Sequence, residues 1–302
     1  MPEESKHHRG PVIDKVDNKE VVDCQVCGFK HVLPLPTKAE QEDFYRQDFY
    51  ESEKPLFFKQ KEEDESWLTL QYSDRYDTFE SSLPDSRRRI LDVGTGPGFF
   101  LKHGKSRGWE VKGIEPSTSA AQYANTMGLD VDEAFLDASN SNKLGKFDVV
   151  HASLVLEHVY NPIELIQLMH SMLEEGGLLC ITVPNDYNPF QATLREVDTF
   201  QPWWVCPTHH VNYFSPHSLS TLISNSGFTI LLKETSFPMD LFLLMGDNYV
   251  NDGKLGRTCH HKRVAFDTKL ANAGRNDLKR KLYQAFAELD IGREICIYAK
   301  KN

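Results

Sequence analysis

No stretch of this sequence stays apolar long enough to cross a bilayer. Segments such as Leu241-Phe242-Leu243-Leu244-Met245 fall far short of the roughly 20 residues that a span requires. The N-terminus, Met1-Pro2-Glu3-Glu4-Ser5-Lys6-His7-His8-Arg9-Gly10, lacks the apolar core of a secretory signal. A cytoplasmic location without a membrane span is therefore expected. Basic charge is in deficit: 34 lysines and arginines face 44 aspartates and glutamates, a net charge of −10. Phosphate binding needs a basic surface, so no nucleic-acid partner is expected. Internal repeats and low-complexity tracts are absent. Six cysteines, at 24, 27, 180, 206, 259 and 296, are scattered, and only Cys24 and Cys27 keep a spacing pattern. In a reducing compartment the others read as buried thiols rather than disulfides.

What is present is ordinary globular composition, with 40% hydrophobic and 26% charged residues over 302 positions. That length suits one large α/β domain, or a medium domain with appendages. Residues 1–36 are polar and then punctuated by Pro34 and Pro36. Thr37-Lys38-Ala39-Glu40 is a capping box, predicting a helix from about Thr37 to Tyr50. A charged segment around Lys59 to Glu65 leads to an amphipathic stretch, Trp67 to Phe79, and Leu83-Pro84 closes an N-terminal extension over 1–84.

From Arg89 the signals alternate. Arg89 to Val93, Val111 to Glu115, Phe147 to Ala152, Leu178 to Val183, Phe228 to Leu232 and Glu294 to Tyr298 read as strands. Helices are expected over Ser117 to Met127, from Asn161-Pro162 to Gly176-Gly177, and from Ser215-Pro216 to Gly227. Such alternation means a mostly parallel sheet covered on both faces, here over 85–302. Residues 236–291 are too long for a turn and form an insertion before the last strand.

In open parallel sheets, ligands sit beyond the C-terminal strand ends. Asp92-Val93-Gly94-Thr95-Gly96-Pro97-Gly98 occupies such a place, and Glu115 ends the next strand 21 residues after Gly94. A carboxylate there can accept hydrogen bonds from both hydroxyls of a ribose. A nicotinamide fingerprint would need glycine at position 99, where Phe99 stands. Asp92 would repel a pyrophosphate but suits a cationic sulfonium and amino group.

These residues resemble the class I S-adenosylmethionine-dependent methyltransferases, nearest the ubiquinone-biosynthesis-like branch. The resemblance runs from Arg89 to about Leu232 and returns in the final strand. It is carried jointly by Ile90 to Gly98, Glu115-Pro116-Ser117, Phe147-Asp148-Val149-Val150 with Leu156-Glu157-His158-Val159, Leu173-Glu174-Glu175-Gly176-Gly177, and Val183-Pro184-Asn185. It implies a Rossmann-like, doubly wound, seven-stranded sheet with an antiparallel last strand. It also implies S-adenosylmethionine as cofactor. Gly94, Gly96 and Gly98 would cradle its methionine part, Glu115 its ribose, and Asp137 would lie near the adenine, with Asp92, Thr95, Pro116 and Ser153 beside them.

Methyl transfer is an in-line displacement in which the protein aligns the nucleophile and excludes water. A base is needed only where the acceptor must lose a proton. Family analogy points to His158, and to His210, four residues before Phe214, as catalytic candidates. Packing roles compete with both. Asn185, Asp186, Tyr187 and Trp204 are candidates for binding the acceptor, against ordinary turn and loop-packing roles. Acceptors at oxygen, nitrogen or carbon stay open. So does a noncatalytic scaffold that binds the cofactor without turnover, as a monomer or homodimer.

Cys24-Gln25-Val26-Cys27-Gly28-Phe29 and then His31 look like half of a zinc ribbon, whose metal needs four ligands. Several methyltransferases of the resembling branch carry an upstream cysteine pair that is missing here. His7 and His8 could substitute for it, but a metal-free knuckle is the preferred expectation. Residues 237–249, apolar and then polar, are expected in an acceptor lid or a dimer contact. Cys259-His260-His261 is expected on a solvated helix face.

Overall fold

The computed structural model describes residues 8–37, 39–40, 45 and 57–302. The chain begins with β1 (Val12–Val16), β2 (Lys19–Asp23) and β3 (Lys30–Leu33), none of which the sequence announces. The capping box forms: Glu40 N–H donates to Thr37 Oγ1 and Thr37 N–H to Glu40 Oε2. The helix expected to continue to Tyr50, like His7, lies outside the described residues, Tyr45 excepted. Helices α1 (Phe57–Glu63) and α2 (Glu65–Ser82) follow.

Then come β4 (Arg89–Val93), α3 (Phe99–Ser106), β5 (Glu110–Glu115), α4 (Thr118–Thr126), β6 (Val131–Glu133), α5 (Ser141–Leu144) and β7 (Phe147–Ser153). After them run α6 (Pro162–Met172), β8 (Leu173–Pro184), α7 (Pro189–Asp198), β9 (Asn212–Tyr213), α8 (Pro216–Asn225) and β10 (Phe228–Thr235). The insertion carries α9 (Asp240–Leu244), α10 (Gly253–Asn272) and α11 (Asn276–Glu288), and β11 (Glu294–Lys301) closes the fold.

Local chemistry sets the helix starts. Ser117 caps α4, Asn161 caps α6 ahead of Pro162, and full capping boxes open α7 (Asn188 with Gln191) and α8 (Ser215 with Ser218). Helix α6 ends at Met172, before the expected Gly176-Gly177 stop, because Leu173 is already extended and pairs with Phe147 of β7.

Seven strands make the main sheet in the order β10-β11-β8-β7-β4-β5-β6. Strands β4 to β8 pair in parallel, while β11 runs antiparallel to both β8 and β10. The central strands β4 and β7 are largely buried because both faces are covered, and their one buried polar pair, Asp92 with His151, is matched within the core. The sheet order reverses between β4 and β7, which opens a crevice at their C-terminal ends.

A second, four-stranded sheet of order β1-β2-β3-β9 joins the N-terminal strands to the segment before α8. The insertion packs elsewhere. Asp267, 3% exposed, accepts from Trp67 Nε1 of α2 at 2.8 Å and from the Tyr283 hydroxyl of α11. The Cys259-His260-His261 stretch is not simply a solvated face. Cys259 is buried, and His260 Nε2 lies 2.9 Å from Asp64 Oδ2 with its ring against Trp67, because α10 lies on the start of α2; His261 alone of the three is exposed. Among the described residues no helix is long and apolar enough to cross a membrane.

The double acceptor role of Asp267 predicts that Asp267→Ala leaves two buried donors unpaired and lowers unfolding stability by about 2–4 kcal/mol. Urea titration followed by tryptophan fluorescence measures the loss.

Candidate active site

A cavity of about 220 Å³ opens at the crevice between β4 and β7. Gly94, Glu115, Pro116 and Asp137 line it, together with Tyr45 and with Leu154, Val155, His158, Val159, Leu165 and Leu168. The glycine turn is built tightly: Gly94 N–H donates to Ile114 O at 2.8 Å, and Gly94 has φ +70°. A Cβ at this position would sit 2.6 Å from Val155 Cγ2, so any side chain here would both strain the turn and collide with Val155 of the cavity wall.

Glu115 is held by two backbone donors, Gly96 N–H to Oε2 at 2.7 Å and Ser117 N–H to Oε1 at 2.9 Å. Each carboxylate oxygen keeps acceptor capacity toward the cavity. Burial pushes the Glu115 carboxyl up to about 7, against the pull of those two N–H groups, and the Asp92 charge adds to the rise. Asp137 lines the cavity while its Oδ1 accepts from Ser139 N, Ser139 Oγ and Asn140 N, fixing the following turn.

Other candidates lie elsewhere. Asp92 faces the core, with Oδ1 2.7 Å from His151 Nδ1, and that imidazole is stacked on Phe100. It does not reach the cavity, because strand alternation aims its side chain under α3. Gly96, Gly98 and Ser153 also lie off the lining, and Thr95 is buried with its methyl toward Gly113. Asn185 donates to Asp290 O and Gly292 O, and Asp186 pairs with Arg293. Tyr187 and Trp204 pack together against Tyr213 and the N-terminal sheet. None of these four acceptor-binding candidates lines the cavity, and neither does any residue of 236–291.

His158 does line it. Its Nδ1 lies 2.9 Å from the His209 carbonyl oxygen, which can only accept, so Nδ1 carries the proton and Nε2 the lone pair. His210 stands against it, ring centroids 4.8 Å apart. Beneath them Glu157 is buried, with His158 Nε2 3.6 Å from its Oε1 and no hydrogen bond from another described residue to either carboxyl oxygen. Burial drives the Glu157 carboxyl well above the usual carboxylate range, and the charges of Asp186 and Glu294 push the same way. Glu157, His158 and His210 each bring a ligand atom within 4.8 Å of the others; His8, Cys24, Cys27 and His31 form a second such group.

Several wall residues carried no distinct signal. Leu165 and Leu168 sit in the helical apolar pattern of α6, where core and cavity look alike. Leu154 adopts φ +59°, a backbone state that a branched apolar side chain rarely takes and that nothing in its type announces.

A family described as a methyltransferase domain matches residues 62–233. The chain belongs to this methyltransferase family. It is an S-adenosylmethionine-dependent methyltransferase of the Rossmann-like class. The ubiquinone biosynthesis O-methyltransferase of Ruegeria pomeroyi is 27% identical over 169 residues, covering 53% of this chain and 68% of its own. That of Ralstonia nicotianae is 31% identical over 109 residues, 34% of this chain and 46% of its own. Among solved structures, magnesium protoporphyrin IX methyltransferase from Synechocystis PCC 6803, with SAH bound, superposes with a TM-score of 0.53 at 12% identity over 88% of this chain and all of that one. A SAM dependent methyltransferase from Archaeoglobus fulgidus gives 0.52 at 19% identity over 81% and 99%. At these identities the structural likeness shows the fold.

A protonated Glu157 makes its own prediction. A carboxyl whose folded pKa is raised costs the folded state increasing stability as pH climbs above the unfolded value. Relative to the wild type, Glu157→Gln should gain stability with rising pH above about 4.3, by up to about 1.4 kcal/mol per pH unit. Urea unfolding of both proteins at pH 5 to 8 checks the slope.

Proposed function

We propose that the cavity holds S-adenosylmethionine with its ribose on Glu115 and its methionine part along Gly94, and that an apolar, hydroxyl-bearing small molecule enters beside His158 and is methylated at oxygen. The observation that carries this reading is the continuity of one cavity from the Glu115 carboxylate to the His158 imidazole. The residues fit the cofactor: a buried carboxylate with acceptor capacity left over matches a pair of ribose hydroxyls, and the tight turn at Gly94 brings bare backbone to the cavity wall.

S-adenosylmethionine, when bound, supplies a methyl group on a sulfonium, already activated toward attack. The protein's part is placement and dryness. Val155, Val159, Leu165 and Leu168 wall off water, and Tyr45 lies edge-on to His158 at 5.4 Å. The lone pair of His158 Nε2 can take the proton of an acceptor hydroxyl as it attacks. His210 buttresses that ring. An oxygen acceptor is favoured because a hydroxyl needs such a base, and the relatives from Ruegeria pomeroyi and Ralstonia nicotianae are named O-methyltransferases. Glycine turn, carboxylate and base together favour turnover over a scaffold.

Calorimetry with S-adenosylhomocysteine tests the cofactor half. Glu115→Ala is expected to weaken binding at least tenfold. In the wild type the ribose hydroxyls donate best to the ionised carboxyl, whose pKa stands at about 7. Affinity is then expected to fall about tenfold from pH 8 to pH 6, and Glu115→Gln to flatten that dependence. Binding unaffected by either change would refute the assignment.

Methyl transfer to a panel of hydroxylated aromatic and aliphatic acceptors tests the other half. His158→Ala should lower kcat about 100-fold or more while leaving S-adenosylhomocysteine affinity within twofold.

A further inference from the structure

Outside the cavity, the N-terminal sheet gathers four side chains that the methyl-transfer reading leaves unused. We propose that His8, Cys24, Cys27 and His31 bind one zinc ion in a tetrahedral site that fastens the N-terminal sheet to the catalytic domain. Each of the four offers a ligand atom, and these atoms all lie within 4.8 Å of one another. His8 Nδ1 is 3.7 Å from Cys24 Sγ and 3.4 Å from Cys27 Sγ. With Zn–S of about 2.3 Å and Zn–N of about 2.0–2.1 Å, a tetrahedron has an S-to-N edge of about 3.6 Å. The two observed spacings bracket that edge.

The backbone is shaped to bring these groups together. Cys24 and Cys27 flank a turn closed by Gly28 N–H donating to Cys24 O at 2.9 Å. His8 arrives on a segment laid beside the turn, where Arg9 O accepts from Gln25 N–H and Pro11 O from Asp23 N–H. At Gly10 this approach is so close that a Cβ would stand 1.8 Å from Asp23 O. His31 comes from β3, one strand over.

His31 is an independent pointer to a ligand. The residue is 2% exposed, and its Nε2 is buried with no hydrogen-bond partner among the described residues. Its Nδ1 lies 2.8 Å from Asn212 Oδ1. The orientation of that amide is set from its other end, where Nδ2 donates to Leu156 O at 3.0 Å and Val159 O at 2.7 Å. Asn212 Oδ1 must therefore accept, Nδ1 carries the proton, and Nε2 presents a lone pair toward the two sulfurs. An outer partner that fixes the tautomer and ring of a ligating histidine is the usual support of a zinc site. Two thiols and two imidazoles gathered within 4.8 Å of one another suit zinc rather than a hard cation. Binding would displace the two thiol protons to solvent.

The same Asn212 places the site's consequence. It couples His31 to the loop 154–161, whose Leu154, Val155, His158 and Val159 wall the cavity. Phe29, between Cys27 and His31, packs on Phe214 in the main core, ring centroids 4.8 Å apart.

The test uses the full, untagged chain purified without chelator or added metal. Elemental analysis is expected to find one zinc per chain. Replacement by cobalt is expected to give the intense visible bands and thiolate charge transfer of a tetrahedral sulfur-ligated ion. Cys27→Ser and His31→Ala should lose the metal, whereas His210→Ala, at the other cluster of ligand-type residues, should keep it. Zinc below one-tenth per chain with both thiols reactive, a Cys24–Cys27 disulfide, or zinc lost in His210→Ala but kept in Cys27→Ser would each overturn the site. The metal content and cobalt spectrum of the unaltered protein decide the matter even where a variant fails to fold.

Discussion

One buried amide ties the molecule together. Asn212 reaches in three directions at once, to His31 of β3 and to the carbonyls of Leu156 and Val159, while its own N–H and that of Val211 both donate to Glu157 O. The loop after β7 leaves the sheet before its backbone polar groups have strand partners, and a buried loop cannot leave such groups unsatisfied. The segment 211–212 supplies the missing donors. In doing so it becomes the edge strand on which the N-terminal sheet closes. The wall of the cavity, the position of His158 and the docking of strands β1 to β3 therefore share one set of hydrogen bonds.

Two carboxyl groups near this junction show how environment divides chemically identical side chains. Glu115 and Glu157 are both buried. Glu115 receives two backbone N–H groups, which hold it near neutrality and ready to accept more hydrogen bonds. Glu157 receives none from its neighbours, and burial pushes its carboxyl well above the usual range. Divergent protonation of neighbouring acids is a recurring way to assign separate roles. Here both carboxyls are raised, Glu115 to about 7 against the pull of its two N–H groups and Glu157 well above the usual range beneath His158.

Much of this was legible in the sequence, and the exceptions share a cause. Strands β4, β7 and β8 announce themselves through buried apolar runs such as Ile90-Leu91, Val149-Val150 and Leu178 to Ile181, and the glycine turn beside β4 needs residue types found in few other contexts. Strands β1 to β3 are short and half-polar, and their sheet is completed only by Asn212 and Tyr213, a pairing between positions 181 residues apart. The anchoring of the insertion by Asp267 on Trp67 spans 200 residues. Periodicity reports a residue's own face, not its distant partner. The same limit explains Asp92, whose place beside the glycines suggested a ligand while strand alternation turned it toward His151. At the cavity, Leu165 is a core residue as well as a wall residue, and Leu168 follows the same helical apolar pattern, so neither stands out as ligand-facing.

The order of that second sheet sets a timetable for folding. Its first three strands precede the fourth by most of the chain, so the knuckle is synthesised long before the edge it needs exists. A three-stranded ribbon of this size has little independent stability, and contacts of such sequence separation are slow to form. Strand β3 has its second neighbour only once β9 has been laid down. The pairing that completes the sheet also brings His31 to the Asn212 amide that holds loop 154–161, so the N-terminal strands and the His158 wall of the cavity gain their shared support together.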